Sequence, residues 1–252
     1  MKLQPFFLTV LLLWARTPLA HAADETASAP ANTAITTEGQ LDEWMSHYYE
    51  HPQPGLTCSA ISFMSVKGII SPDNGLPTAT FFARLLEQNP SRAQEWRECF
   101  TLAGDDAATT IAFALWMTKN ESELKGMLAA KPDARVEENL REIGQHAPPD
   151  LMKDEIDTPT FLDMLWGSFF ATGDEKYVFR VIEALAFLDD KRDVQKTLIG
   201  SAARWSLASN AAQHKRVMQI CEEQQQKSPD KTLKDVIKEA HKQAKVGGGA
   251  GS

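Results

Sequence analysis

Phe170-Ala171-Thr172-Gly173-Asp174-Glu175-Lys176-Tyr177 and Leu207-Ala208-Ser209-Asn210-Ala211-Ala212-Gln213-His214 share one pattern: apolar, small, small, Gly or Asn, then a short run before an aromatic ring. Each reads as the corner between two helices. A helix commonly stops at a residue in the left-handed conformation, which Gly adopts freely and Asn tolerates better than most. A tryptophan precedes each corner, Trp166 and Trp205. Apolar runs follow each, with Val178, Val181 and Ile182 in one copy and Val217, Ile220 and Cys221 in the other. The stretch from Phe161 to Cys221 therefore predicts stacked helical hairpins.

Working outward, Met117-Thr118-Lys119-Asn120-Glu121-Ser122-Glu123-Leu124 repeats the corner with Asn120 at the turning position. Leu86-Glu87-Gln88-Asn89-Pro90-Ser91-Arg92-Ala93 repeats it more loosely with Asn89 there. The intervals are unequal, a few tens of residues each, which suits two-helix repeats with an extra helical pair in the middle. An irregular all-α domain with similar corners is the alternative. Either way no alternating run is long enough to argue for a sheet, so the fold class is all-α, as an irregular helical-hairpin solenoid.

Taken in order, residues 1–22 have the layout of a cleaved signal peptide: Lys2, the apolar run Phe6 to Trp14, and Ala20-His21-Ala22 as a small-x-small cleavage site. The apolar run is too short to span a bilayer, which takes about 20 residues. No later segment reaches that length, so export without stable membrane insertion is expected, to the periplasm or outside the cell. Residues 23–37 are rich in Ala, Thr, Ser and Pro and read as a disordered leader. The α-helical repeat domain spans 38–244, with Pro148-Pro149 as a subdomain boundary or a tight corner, and 245–252 is a flexible Gly-rich tail.

Within the domain, Thr36-Thr37-Glu38-Gly39 signals the first helix, and Leu41, Trp44, Met45, Tyr48 and Tyr49 recur at helical spacing up to Pro52. Ser71-Pro72-Asp73-Asn74-Gly75 is a turn cluster, and Pro77 stands in a favoured first-turn position. Asn89-Pro90 ends that helix, Asp105-Asp106 starts another, and Glu121 to Ala130 and Val136 to Ile143 are more polar helices. After Thr158-Pro159, Phe161, Leu162, Leu165, Trp166 and Phe169 face one way. Leu198, Ala202 and Trp205 are expected to repeat that inward role. The last helix sets Leu233, Val236, Ile237 and Ala240 against charged positions, the polar-faced cap that ends such a stack.

The chain has 34 acidic and 26 basic residues, a net charge of −8. Loss of Lys2 and Arg16 with the leader takes it to about −10, which disfavours nucleic acid and anionic membranes and favours a basic protein partner. Three cysteines allow one disulfide and one free thiol, or three small core residues; Cys58 and Cys99 are the pair to test first, leaving Cys221.

Chemistry-bearing motifs are sparse. His47 and His51 stand four apart in His-Tyr-Tyr-Glu-His, so on a continuous helix both imidazoles would share a face, as a zinc pair requires. The acidic residue is misplaced for a zinc-protease motif and no third ligand is evident, so a surface pair beside Pro52 is the simpler reading. No nucleophile elbow and no phosphate-binding glycine signature occurs in the sequence. Asp189-Asp190 and Asp105-Asp106 read as helix-start pairs, and Asn120-Glu121-Ser122, though a glycosylation pattern, falls on a corner. No cofactor is implied. Tyr177 and His214 share a place after their corners, which argues for packing. Trp116, Trp166 and Trp205, with those two, are the candidate interface positions should they reach the surface.

The corners resemble those of tetratricopeptide and Sel1-like repeat proteins over about residues 81–240, although their fixed spacing is not reproduced. The whole chain is similar to exported bacterial helical proteins, a likeness that implies no activity. What the repeat resemblance implies is a non-catalytic scaffold or adaptor that binds a protein or peptide on a concave face, in an envelope assembly or as an inhibitor of an exported partner. The alternative is a small-ligand- or metal-binding helical protein or enzyme, with its site at His47 and His51 or near Trp166.

Overall fold

The structure, a computed structural model, describes residues 34–70, 75–102, 104–130, 136–138, 141, 145, 147–190 and 192–248. The proposed signal peptide, most of the leader, the turn cluster at 71–74, half of the helix expected at 136–143 and the last four residues of the tail fall outside them. The described elements are all helical, with no strand among them. None of their helices is long and apolar enough to cross a membrane. The chain forms two compact units, one from residues 31–154 and 166–174, the other from 155–165 and 175–252.

In the unit containing residues 31–154, α1 (Glu38–Ser46) begins at a capping box: Thr37 accepts from the Gln40 amide at 3.2 Å while the Gln40 side chain accepts from the Thr37 amide. A 3-10 turn at Pro54–Leu56 leads into α2 (Thr57–Lys67), which stops at Gly68 with φ +61. There the Ile69 amide returns to Met64 O at 3.0 Å, the hydrogen bond that a left-handed cap permits. Helix α3 (Gly75–Gln88) carries Phe81, Phe82, Leu85 and Leu86 inward and ends where Asn89 donates its side-chain amide to Leu85 O at 2.9 Å.

Another 3-10 turn, Pro90–Arg92, precedes α4 (Ala93–Leu102), followed by α5 (Asp105–Met117) and α6 (Glu121–Ala130). Helix α5 packs chiefly on α3, and α4 lies against α2 and α6. The core centres on Trp96, Tyr48, Phe81, Phe82 and Ile111, all fully buried. Trp44, Tyr48 and Phe81 meet edge to face with ring centroids 5.5 to 5.8 Å apart, the arrangement aromatic quadrupoles favour. Cys58 of α2 and Cys99 of α4 are disulfide-bonded, with Cα atoms 5.5 Å apart. Gly167, in the part of α7 (Pro159–Thr172) that belongs to this unit, lets that helix lie on α3; a Cβ there would sit 2.8 Å from Pro77 O.

The other unit is built round α9 (Val194–Gln213), which packs on α8 (Glu175–Glu183), a 3-10 segment at Ala184–Asp189, α10 (Lys215–Lys227) and α11 (Lys231–Gly248). Asp193 caps α9 by accepting from the amides of Gln195 and Lys196 at 2.9 and 3.2 Å. Ile199, Ala203 and Leu207 of α9 meet Val178 and Val181 of α8, Val217, Ile220 and Cys221 of α10, and Leu233, Val236 and Ala240 of α11 in one apolar core. Arg216 ties α10 to Glu175 of α8 at 2.8 Å, and Arg204 ties α9 to Glu239 of α11 at 3.3 Å.

The corners differ from expectation in two respects. Gly173 does adopt the left-handed conformation, with φ +70. Asn120 does not: Lys119 takes the positive φ, and the Asn120 side chain instead accepts from the Glu123 amide to start α6. Asn89 has φ −128 and works through its side chain. Asn210 is no corner at all, because α9 runs on to Gln213 and turns at His214. The register of α9 also differs. Leu198 and Trp205 were expected inside, yet they are 54% and 41% exposed, while Ile199 and Ala203, one position on from Leu198 and Ala202, are buried. The cause is Gly200, whose Cα passes so close to the 3-10 segment that a Cβ would lie 2.6 Å from Leu188 N.

A candidate binding groove beside the 3-10 segment

The chain leaves α-helical geometry after Glu183 and tightens into the 3-10 turn Ala184–Asp189. Opposite it, α10 stops at Lys227 and α11 starts at Lys231, with Asp230 accepting from the Leu233 amide at 2.8 Å. Between these two departures from regular helix lies an open groove of about 300 Å³. Its apolar lining is Phe179, Ile182, Leu185, Ala186 and Leu233. Three carboxylates lie along its edge: Glu183, which pairs with Arg180 at 2.6 Å, Asp189 and Asp230. Gln224, Ser228 and Thr232 add neutral hydrogen-bonding groups. Among the described residues, the lining contains no Lys, Arg or His.

Chemically, the arrangement sets apolar surface beside negative charge. Each residue's role follows from its element. Leu185 and Leu233 are held by the core of the unit, whereas Ala186 and the rim acids are exposed.

The residues singled out from sequence are dispersed. His47 is the C-cap of α1, its Nδ1 3.0 Å from Ser46 Oγ and 3.5 Å from Glu43 Oε2, and His51 lies in the bend beyond. The helix stops at Ser46, so the two imidazoles do not share a continuous helical face as the spacing suggested. Among the described residues no cluster of three or more His, Cys, Asp or Glu is placed to hold a metal. Trp166 is buried and stacked on Phe170 at 5.9 Å, and it does not line the groove. Tyr177 and His214 are buried too, with Lys176 Nζ 4.9 Å over the Tyr177 ring, so these three serve the core. Trp116 is half-buried; Trp205 is the most exposed of the five candidates.

Two buried titratable groups complete the inventory. Burial pushes the Cys221 thiol up to about 12, with the Glu222 carboxylate adding to the effect. Asp163, in the middle of the buried face of α7, is pushed up to about 7 by burial. Sequence reading missed it, although a single carboxylate inside the run from Phe161 to Phe170 was the visible signal.

No family model matches this chain, and no curated protein or solved structure matches it either.

Proposed function

We propose that the chain is an exported, non-catalytic protein-binding scaffold, a helical-hairpin array of tetratricopeptide type that takes a basic, apolar peptide segment of another protein. The observation that carries this reading is the groove: apolar lining from Phe179 to Leu233 beside the carboxylates of Asp189 and Asp230 and the Arg180-paired Glu183, with no cationic side chain in the lining among the described residues. A segment with one large apolar side chain next to Lys or Arg would bury the former and pair the latter. The overall charge of −8 extends the same preference over the rest of the surface. Export is supported by the signal-like residues 1–22 and by the Cys58–Cys99 disulfide, since such bonds persist mainly in oxidising compartments.

Selection of peptides from a displayed random library on the purified chain tests this reading. Segments pairing an aromatic or long aliphatic residue with Lys or Arg should be enriched, and an Ala186→Trp variant, with its groove filled, should not enrich them. Enrichment of acidic segments, or the same enrichment on the filled variant, would contradict it.

A further inference from the structure

The open face of α9 carries a second feature that is independent of the groove. Val194, Leu198 and Trp205 are 76%, 54% and 41% exposed, and with exposed Ser201 they fall at intervals of four, three and four residues. That spacing keeps a seam on one side of a helix paired with another helix, with apolar knobs entering holes opposite. The seam is also self-complementary. Placed antiparallel about a twofold axis between Leu198 and Ser201, each Leu198 faces the small Ser201 of the other helix and each Trp205 faces Val194, so large meets small at every layer.

Charge separates the candidate occupants. Helix α9 has no Asp or Glu along its 20 residues, in a chain that has 34 of them. Its two cations are already engaged, Lys196 with Glu155 at 3.3 Å and Arg204 with Glu239 at 3.3 Å. A basic partner would find no carboxylate on this helix. A second copy would meet an apolar surface whose two cations are already neutralised by Glu155 and Glu239. We infer that α9 is a homodimer interface, an antiparallel helix pair between two copies of this chain. The seam runs about 16 Å at 1.5 Å per residue. A single helix face buries less than the roughly 800 Å² per partner of standard stable interfaces, so the dimer is weak and concentration-dependent.

Sedimentation equilibrium of the purified chain over a wide concentration range, together with cysteine crosslinking, tests the inference. The native chain should pass from monomer to dimer as concentration rises. Leu198→Glu and Trp205→Glu, at exposed positions where folding is retained by circular dichroism, should each raise the dimer dissociation constant at least about tenfold by placing a charge in an apolar seam. Mixed Leu198→Cys and Ser201→Cys chains should crosslink to each other more readily than either does to itself. Cys221 is buried and Cys58 is bonded to Cys99, so native thiols do not compete. Three results would overturn the inference: a monomer at every concentration, a dimer indifferent to both Glu variants, or crosslinks dominated by Ser201→Cys with itself. A different protein seated on α9 while the chain stays monomeric would also overturn it.

Discussion

Gly200 of α9 and Leu188 of the 3-10 segment meet backbone to backbone, so closely that a Cβ on Gly200 would lie 2.6 Å from Leu188 N and 2.9 Å from Phe187 C. This contact decides which side of α9 is inside. It also holds the 3-10 segment where Leu185, Ala186 and Asp189 can line the groove.

Gly200→Ala should therefore destabilise the chain by about 1–3 kcal/mol, the usual cost of forcing a methyl into packed structure. Gly39→Ala is the control, because nothing lies within 4 Å of a Cβ there and helix propensity favours alanine. Chemical denaturation of both variants checks this: only the first should lower the midpoint, and equal midpoints would show that the crossing can relax.

Removing the disulfide by Cys58→Ser with Cys99→Ser opens a link between residues 41 apart. On the chain-entropy account this costs about 4 kcal/mol, less any structure kept in the unfolded chain. Cys221 should resist thiol reagents in the native protein, being buried with its thiol pushed up to about 12, and should react only after unfolding. Thiol titration with and without denaturant measures the difference.

Asp163 sets a pH dependence whose sign follows from its burial. Its value rises from 3.8 to about 7 in the fold, so the folded chain holds a proton that the unfolded chain has lost. Stability from this group is complete below about 4 and falls as pH rises to about 7, a loss on the order of a few kcal/mol. Asp163→Asn should flatten that part of the stability–pH curve. An unchanged slope would mean that another group titrates there.

In the groove, Asp189→Lys should weaken binding of a selected basic peptide by up to about fivefold, since an exposed ion pair is worth roughly 0.2–1 kcal/mol. The effect should shrink in high salt. Ala186→Trp should abolish binding at all salt concentrations, because it fills the groove. Fluorescence anisotropy of a labelled peptide across a salt series separates the two.

What the sequence disclosed was local chemistry. Thr37, Pro77, Asn89, Asp105, Thr158 and Gly173 mark helix ends because capping and left-handed turns depend on a few neighbouring residues. The register of α9 was not legible. Leu198, Ile199, Ala202, Ala203 and Trp205 offer two adjacent apolar faces, and the choice between them is made by Leu188, a dozen residues before Gly200 and across a turn. The corner at Asn210 failed for a related reason: a helix end read from one residue was overridden by packing that carries α9 on to Gln213. The groove was hidden because its lining is drawn from two stretches far apart in the sequence, Phe179 to Asp189 and Gln224 to Leu233.

The most direct measurement is site-specific photo-crosslinking from Gln224, in the groove lining, in cells that produce the chain, with the crosslinked segment sequenced. The account predicts one dominant partner protein, joined through a segment bearing Lys or Arg beside a large apolar residue, and loss of that product in the Ala186→Trp background. Products spread over many proteins, or one partner joined through an acidic segment, would contradict it.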